Sequence, residues 1–136
     1  MNLEENIPNI EWPIKDGIYK VVQILIGENP YIRFGQNYHI DIVKKFADET
    51  GVQAIVDDSG PTPIFLLPEG MIQGMGRCEL SRQSHSQRKA EFYGSSLDYH
   101  QLSISSINES HLELIKQFSQ DVEITYNPRR FRDRWP

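Results

Sequence analysis

From Ile18 to Ile26 the chain is apolar on both alternating sets of positions, the pattern of a central strand covered on both faces. Lys20 interrupts it. It shares a face with Ile18, Val22 and Ile24, where a cation either snorkels to solvent or meets an anion at the end of a sheet. Gly27 to Gly35 reads as a turn leading through a short strand at Tyr31–Phe34. Ile40, Val43, Phe46 and Ala47 then recur at helical spacing, with Asn37 as the expected cap, Asp41 at the positive end of the dipole and Gly51 as the stop.

The second half is more broken. Val52–Val56 and Ile64–Leu67 are strand-like, and the Asp, Gly and Pro residues of 57–63 between them have strong turn chemistry. Gly70–Arg77 is glycine-rich and reads as turns, and Cys78–Leu80 and Lys89–Tyr93 read as strands on either side of a long polar loop at Ser81–Arg88. Ser106 and Glu109 have capping-box spacing ahead of a helix with Leu112, Ile115 and Phe118 on one side. Val122–Tyr126 alternates as a last strand, while Asn6–Asp16, with Pro8 and Pro13, is expected to be an irregular lead-in. Two helices and roughly five to seven strands predict an α/β or α+β single domain with a mixed β-sheet flanked by the helices. That domain spans residues 1–127, and an Arg-rich tail follows at 128–136.

Composition narrows the class. A 136-residue chain, 38% hydrophobic and 24% charged, suits a soluble one-domain protein with a real core, and no run approaches a transmembrane span. The acidic start Met1–Asn6 lacks the apolar stretch of a signal peptide, so the expected location is cytoplasmic. The single cysteine, Cys78, excludes an internal disulfide and a cysteine-rich zinc site and is expected to be a buried small hydrophobe. A net charge of −5 argues against a nucleic-acid coat, yet Arg129, Arg130, Arg132 and Arg134 interleave with Phe131 and Trp135. That tail is open to three roles: contact with RNA, contact with an acidic partner, or docking on the domain itself.

Candidate chemistry centres on His39. In the first turn of its helix, free backbone N–H groups and the dipole favour an anion such as phosphate and disfavour imidazolium, leaving the neutral imidazole that a general base requires. The plain alternative is a histidine that packs or caps. Arg77 ends the glycine-rich stretch, whose backbone has the freedom to approach an oxyanion while the guanidinium forks onto it, although no Gly-Lys-Ser/Thr ending makes it a P-loop. Ser95–His100 is polar enough for a functional loop and equally for an ordinary one. His39, His85, His100 and His111 lack metal-ligand spacing, Asp57 and Asp58 read as a solvated turn, and no common hydrolase or zinc-protease motif is present. No metal or cofactor is expected.

Four segments, taken in order, carry a resemblance: Asp16–Val22, Tyr38–Ile42, Tyr93–Tyr99 and Phe118–Tyr126. Together they resemble the Janus/Ocnus family of phosphohistidine phosphatases over most of the chain. The resemblance implies a metal-free hydrolase in which His39 activates water for direct attack on a phosphoryl group. Lys20, Ser96 and nearby backbone amides would hold the phosphate with help from Arg77, with Arg82 as the competing arginine. The implied partner is a phosphorylated protein or a small phosphorylated ligand. Three departures stand out: the segment Val52–Gly76 is longer than the family's, the Arg-rich tail has no counterpart in it, and Asp98 stands where the family prefers a small neutral residue. An anion there would repel a phosphate dianion, so the alternative is a catalytically silent member that binds a phosphorylated ligand or protein partner.

Overall fold

The run that is apolar on both faces becomes β1 (Gly17–Ile26), and each face meets a different helix. The computed structural model describes residues 7–100 and 102–130. After β1 come β2 (Asn29–Gly35), α1 (His39–Thr50), β3 (Ile55–Asp57), β4 (Ile64–Leu66), β5 (Ile72–Arg82), β6 (Arg88–Tyr93), α2 (Glu109–Ile115) with a 3₁₀ turn at Lys116–Phe118, and β7 (Val122–Tyr126). Five strands form one sheet in the order β2-β1-β5-β6-β7, antiparallel except for the parallel β6–β7 pair. β3 and β4 form a separate two-stranded sheet. The fold is therefore a small α+β domain with a mixed sheet. Val22, Ile24 and Met75 pack on one face with Ile42, Val43, Phe46 and Ala47 of α1, while Tyr19, Val21, Cys78 and Phe92 pack on the other with Leu112 and Ile115 of α2. Cys78 is fully buried, and burial pushes its thiol far up, so it behaves as the expected inert hydrophobe.

The glycine-rich stretch is where expectation and structure part most clearly. Gly70 does sit in a turn, at φ +82°, but from Ile72 onward the stretch is the first half of β5, the middle strand of the sheet. A Cβ at Gly74 would collide with Gln23 Oε1 and lie 2.6 Å from the Ser106 carbonyl oxygen, and one at Gly76 would lie 2.6 Å from the Tyr93 carbonyl oxygen and from Ile107. These glycines let the segment Ser106–Asn108 lie directly on the strand, where the Met75 N–H donates to the Ser106 carbonyl at 3.1 Å.

Both helix starts are set differently from expectation. Tyr38, in extended conformation, precedes α1 without a side-chain cap, and Asn37 contributes instead its carbonyl, which accepts from Lys20 Nζ. Gly51 does stop the helix, at φ +78° with its N–H on the Ala47 carbonyl. α2 is capped by Asn108, whose Oδ1 accepts from the His111 N–H at 3.1 Å, not by Ser106. Phe118 falls in the 3₁₀ turn and is 46% exposed, so the buried row ends at Ile115.

The lead-in is less irregular than Pro8 and Pro13 suggest. Ile10 bridges Ile32, the Ile32 N–H donates to the Asn9 carbonyl at 2.9 Å, and Trp12 stacks at 5.3 Å on Phe34 while its Nε1–H donates to Ser119 Oγ. This covers the edge of β2. Val52–Ala54 stays outside any strand, leaving β3 only three residues long. At the other end, Arg130 docks on the sheet: its Nη1 lies 2.7 Å from Glu79 Oε1 and 2.6 Å from Glu91 Oε2, and its Cζ lies 3.8 Å from the Tyr93 ring centroid. Phe131, Arg132, Arg134 and Trp135 lie outside the described residues. Among the described residues no helix is long and apolar enough to cross a membrane.

Candidate active site

One row of the sheet runs Gly35, Lys20, Arg77, Tyr93 across β2, β1, β5 and β6. Directly opposed residues of neighbouring antiparallel strands share a face, so Lys20 and Arg77 project together on the face that carries α1. Gly35 at the end of the row lets α1 close onto the sheet, since a Cβ there would lie 2.8 Å from the Ile42 side chain. The helix thus begins beside the two cations, and its first residue is His39.

His39 is 2% exposed, with Nε2 at 2.8 Å from the Gly76 carbonyl oxygen. A carbonyl only accepts, so Nε2 carries the proton and Nδ1 keeps the lone pair. Burial lowers the imidazole's pKa below its ordinary value and outweighs the Gly76 hydrogen bond, which raises it. Lys20 and Arg77 push it further down and Asp98 pushes it up, so all three charges act on this ring. A histidine in this state is neutral near pH 7 with one basic nitrogen.

The Lys20 ammonium reaches an exposed partner at the end of its strand. Its Nζ donates to the Asn37 carbonyl and lies 5.7 Å from the Tyr38 ring centroid, which ties it to the two residues before His39. Arg77 is half-buried opposite it. Arg82 is excluded as the alternative: it is exposed at the far end of β5, roughly 16 Å along the strand from Arg77, with its N–H on Asp16 Oδ2 at 3.0 Å and Nη1 on the His85 carbonyl at 3.3 Å.

Ser96 lies three residues beyond Tyr93, the last member of that row. It is completely buried, its amide donates to the Ser105 carbonyl at 2.7 Å, and its Oγ has no hydrogen-bond partner among the described residues. No hydrogen bond joins it to Lys20 or His39. The loop that carries it is held at both ends, by the Ser95–Ser106 bridge and by the buried Tyr99, whose hydroxyl donates to the Phe65 carbonyl at 2.6 Å. Asp98, half-buried two residues on, is close enough to His39 to raise its pKa, so its charge acts on the candidate base. A cavity of about 190 Å³ includes Asp98 in its lining, but not His39, Lys20, Arg77 or Ser96.

A second buried histidine has a different task. His111 Nε2–H donates to the Ile24 carbonyl at 2.8 Å, its Nδ1 faces Gln23 Nε2 at 3.3 Å, and Gln23 also donates to the Asn108 carbonyl at 2.9 Å while accepting from the Asn108 N–H at 2.8 Å. This network bolts the start of α2 to β1, where the β1–β5 register shifts between Gln23 and Ile24. Its signal in the sequence was Gln23, the one amide in a strand otherwise apolar but for Lys20. Among the described residues no group of three or more His, Cys, Asp or Glu side chains is arranged to hold a metal ion. No protein-family model matches the chain, and no curated protein matches it either.

Proposed function

We propose that the chain is a metal-independent phosphatase resembling the phosphohistidine phosphatases of the Janus/Ocnus family, acting on a phosphorylated protein or a small phosphorylated ligand. The observation that carries the reading is the His39–Gly76 hydrogen bond, which fixes the proton on Nε2 and leaves Nδ1 basic at a helix N-terminus flanked by Lys20 and Arg77. In the proposed reaction Nδ1 takes a proton from water as its oxygen forms a bond to phosphorus. The bond from phosphorus to the leaving nitrogen breaks, and that nitrogen keeps the electron pair and takes a proton from solvent. Charge on the phosphoryl oxygens is balanced by Lys20 and Arg77 and by the first amides of α1. Of those amides, Asp41 and Ile42 are taken up by the Tyr38 carbonyl, which leaves His39 and Ile40 for the phosphate. The Ser96 amide is taken up by the Ser105 carbonyl, so what Ser96 offers the phosphate is its unpartnered Oγ. A cytoplasmic setting fits a free Cys78 thiol.

A second reading, a catalytically silent protein that binds a phosphorylated ligand or partner, is favoured by one observation: the Asp98 charge acts on the same ring as the two cations. The test is release of phosphate from phosphohistidine and from an aryl phosphate, each with and without a chelator. The phosphatase reading predicts release that the chelator leaves unchanged. Release from neither substrate, with phosphate binding retained, assigns the chain to the second reading.

A further inference from the structure

Beside the surroundings of His39, the turn between β3 and β4 and the loop after β6 enclose the cavity of about 190 Å³. Its walls are apolar at Ile64, Tyr99 and Leu102, and the charged side chains that line it, Asp57 and Asp98, are both acids. No lysine or arginine lines it. Asp98 makes no hydrogen bond or ion pair among the described residues, although it is half-buried. Asp57 accepts from the Ser59 amide at 3.0 Å and the Ser59 hydroxyl at 2.6 Å, both on Oδ1, which leaves Oδ2 as an acceptor. His100 points the same way: its Nδ1 lies 2.8 Å from the Leu97 carbonyl, so Nδ1 carries the proton and Nε2 is an acceptor.

A cavity with apolar walls, acceptors and negative charge takes an amphipathic cation. These acceptors do not form a metal-ligand group among the described residues, so the cation is an organic one whose stem fills the apolar part. The space, about 190 Å³, accommodates the stem and ammonium of a lysine side chain. We propose that this cavity is the subsite for a lysine side chain flanking the phosphorylated residue of a polypeptide substrate, its ammonium held between Asp98 and Asp57. Asp98 belongs both to this lining and to the charges acting on His39. An ammonium placed against Asp98 cancels the repulsion that its carboxylate would exert on the phosphate, which gives that departure from the family pattern a purpose. The inference rests on the phosphatase reading for the word substrate, and not for the binding of lysine.

The experiment is an amide-resolved NMR titration of the full chain with Nα-acetyl-lysine amide and, as control, Nα-acetyl-norleucine amide. The lysine probe should shift amides of residues 57–64 and 97–100 and bind at least about tenfold more tightly than norleucine, a difference that Asp98→Asn should remove. His39→Ala should leave it in place. Equal binding of the two probes, lysine shifts elsewhere on the molecule, or displacement of lysine by magnesium ion with the same shift pattern would each overturn the subsite. Hydrolysis of phosphohistidine peptides with lysine or norleucine beside the phosphorylated residue separates the two claims. Hydrolysis of neither peptide, with lysine binding intact, defeats the phosphatase reading alone, and equal hydrolysis of both defeats the subsite alone.

Discussion

Acidification from about pH 7.5 to about pH 5.5 should remove a large part of this protein's stability, because two imidazoles are buried in the neutral form. His39 and His111 are each 2% exposed, and burial is the largest cause of a lowered pKa at both. In the unfolded chain both return to 6.5. The folded pKa lies below the unfolded one, so below that value the unfolded state binds more protons. The stability contributed by neutral burial is complete above pH 6.5 and is lost as pH falls toward the folded pKa values. Each imidazole contributes a slope of at most about 1.4 kcal/mol per pH unit, so the pair loses up to about 2.7 kcal/mol across this window. Against a typical urea dependence this lowers the unfolding midpoint by on the order of 1 M. Asp57, the carboxyl with a lowered pKa, titrates below 3.8 and leaves the window clear. Urea unfolding at several pH values measures the slope, and His111→Gln, which retains a donor for the Ile24 carbonyl, should halve it. A flat profile in the wild type, or an unchanged slope in the variant, would refute the assignment of both rings as buried and neutral.

Arg130→Ala leaves Glu79 and Glu91 facing each other across β5 and β6. Because Glu79 is 43% exposed the cost is discounted to about 1–2 kcal/mol, seen as a melting temperature a few degrees lower, whereas an unchanged melting temperature would mean that the docked arginine contributes nothing. Gly76→Ala forces a methyl against the Tyr93 carbonyl and Ile107 and should destabilise by about 1–3 kcal/mol or more, while Gly60→Ala, with open space around it, should be neutral in the same denaturation assay. Asp98→Ala should lower the His39 pKa, since Asp98 is the charge that raises it, and an NMR titration of the ring that moved upward would contradict the electrostatic picture.

The sheet and both helices were legible because their signal is local. Alternation in Val122–Tyr126, apolar positions on both faces of β1 and the helical spacing from Ile40 to Ala47 follow from which faces are covered, and the structure covers those faces. What the sequence concealed depends on contacts distant along the chain. Gly74 and Gly76 look like turn residues until Ser106–Asn108 is seen lying on them, and Asn108 replaces Ser106 as the cap because the Ser106 carbonyl is engaged with Met75. From the residues alone Lys20 and Arg77 were suspected singly, and only the resemblance put them on one phosphate. Only the β1–β5 register makes them a pair, and a register set by side chains from four strands is not readable from one of them. Docking of the Arg-rich tail on the domain was one of three roles open to it, but the partners of Arg130 were hidden, because Glu79 and Glu91 become opposed only once the β5–β6 hairpin closes.

The central claim, that His39 Nδ1 is the base that activates water, is tested most directly by the rate of phosphohistidine hydrolysis in wild type and His39→Ala, with the fold of the variant verified by its amide NMR spectrum. Removing a positioned general base should lower the rate by about two to four orders of magnitude while phosphate binding through Lys20 and Arg77 persists. A folded His39→Ala variant that hydrolyses phosphohistidine at the wild-type rate would contradict the account.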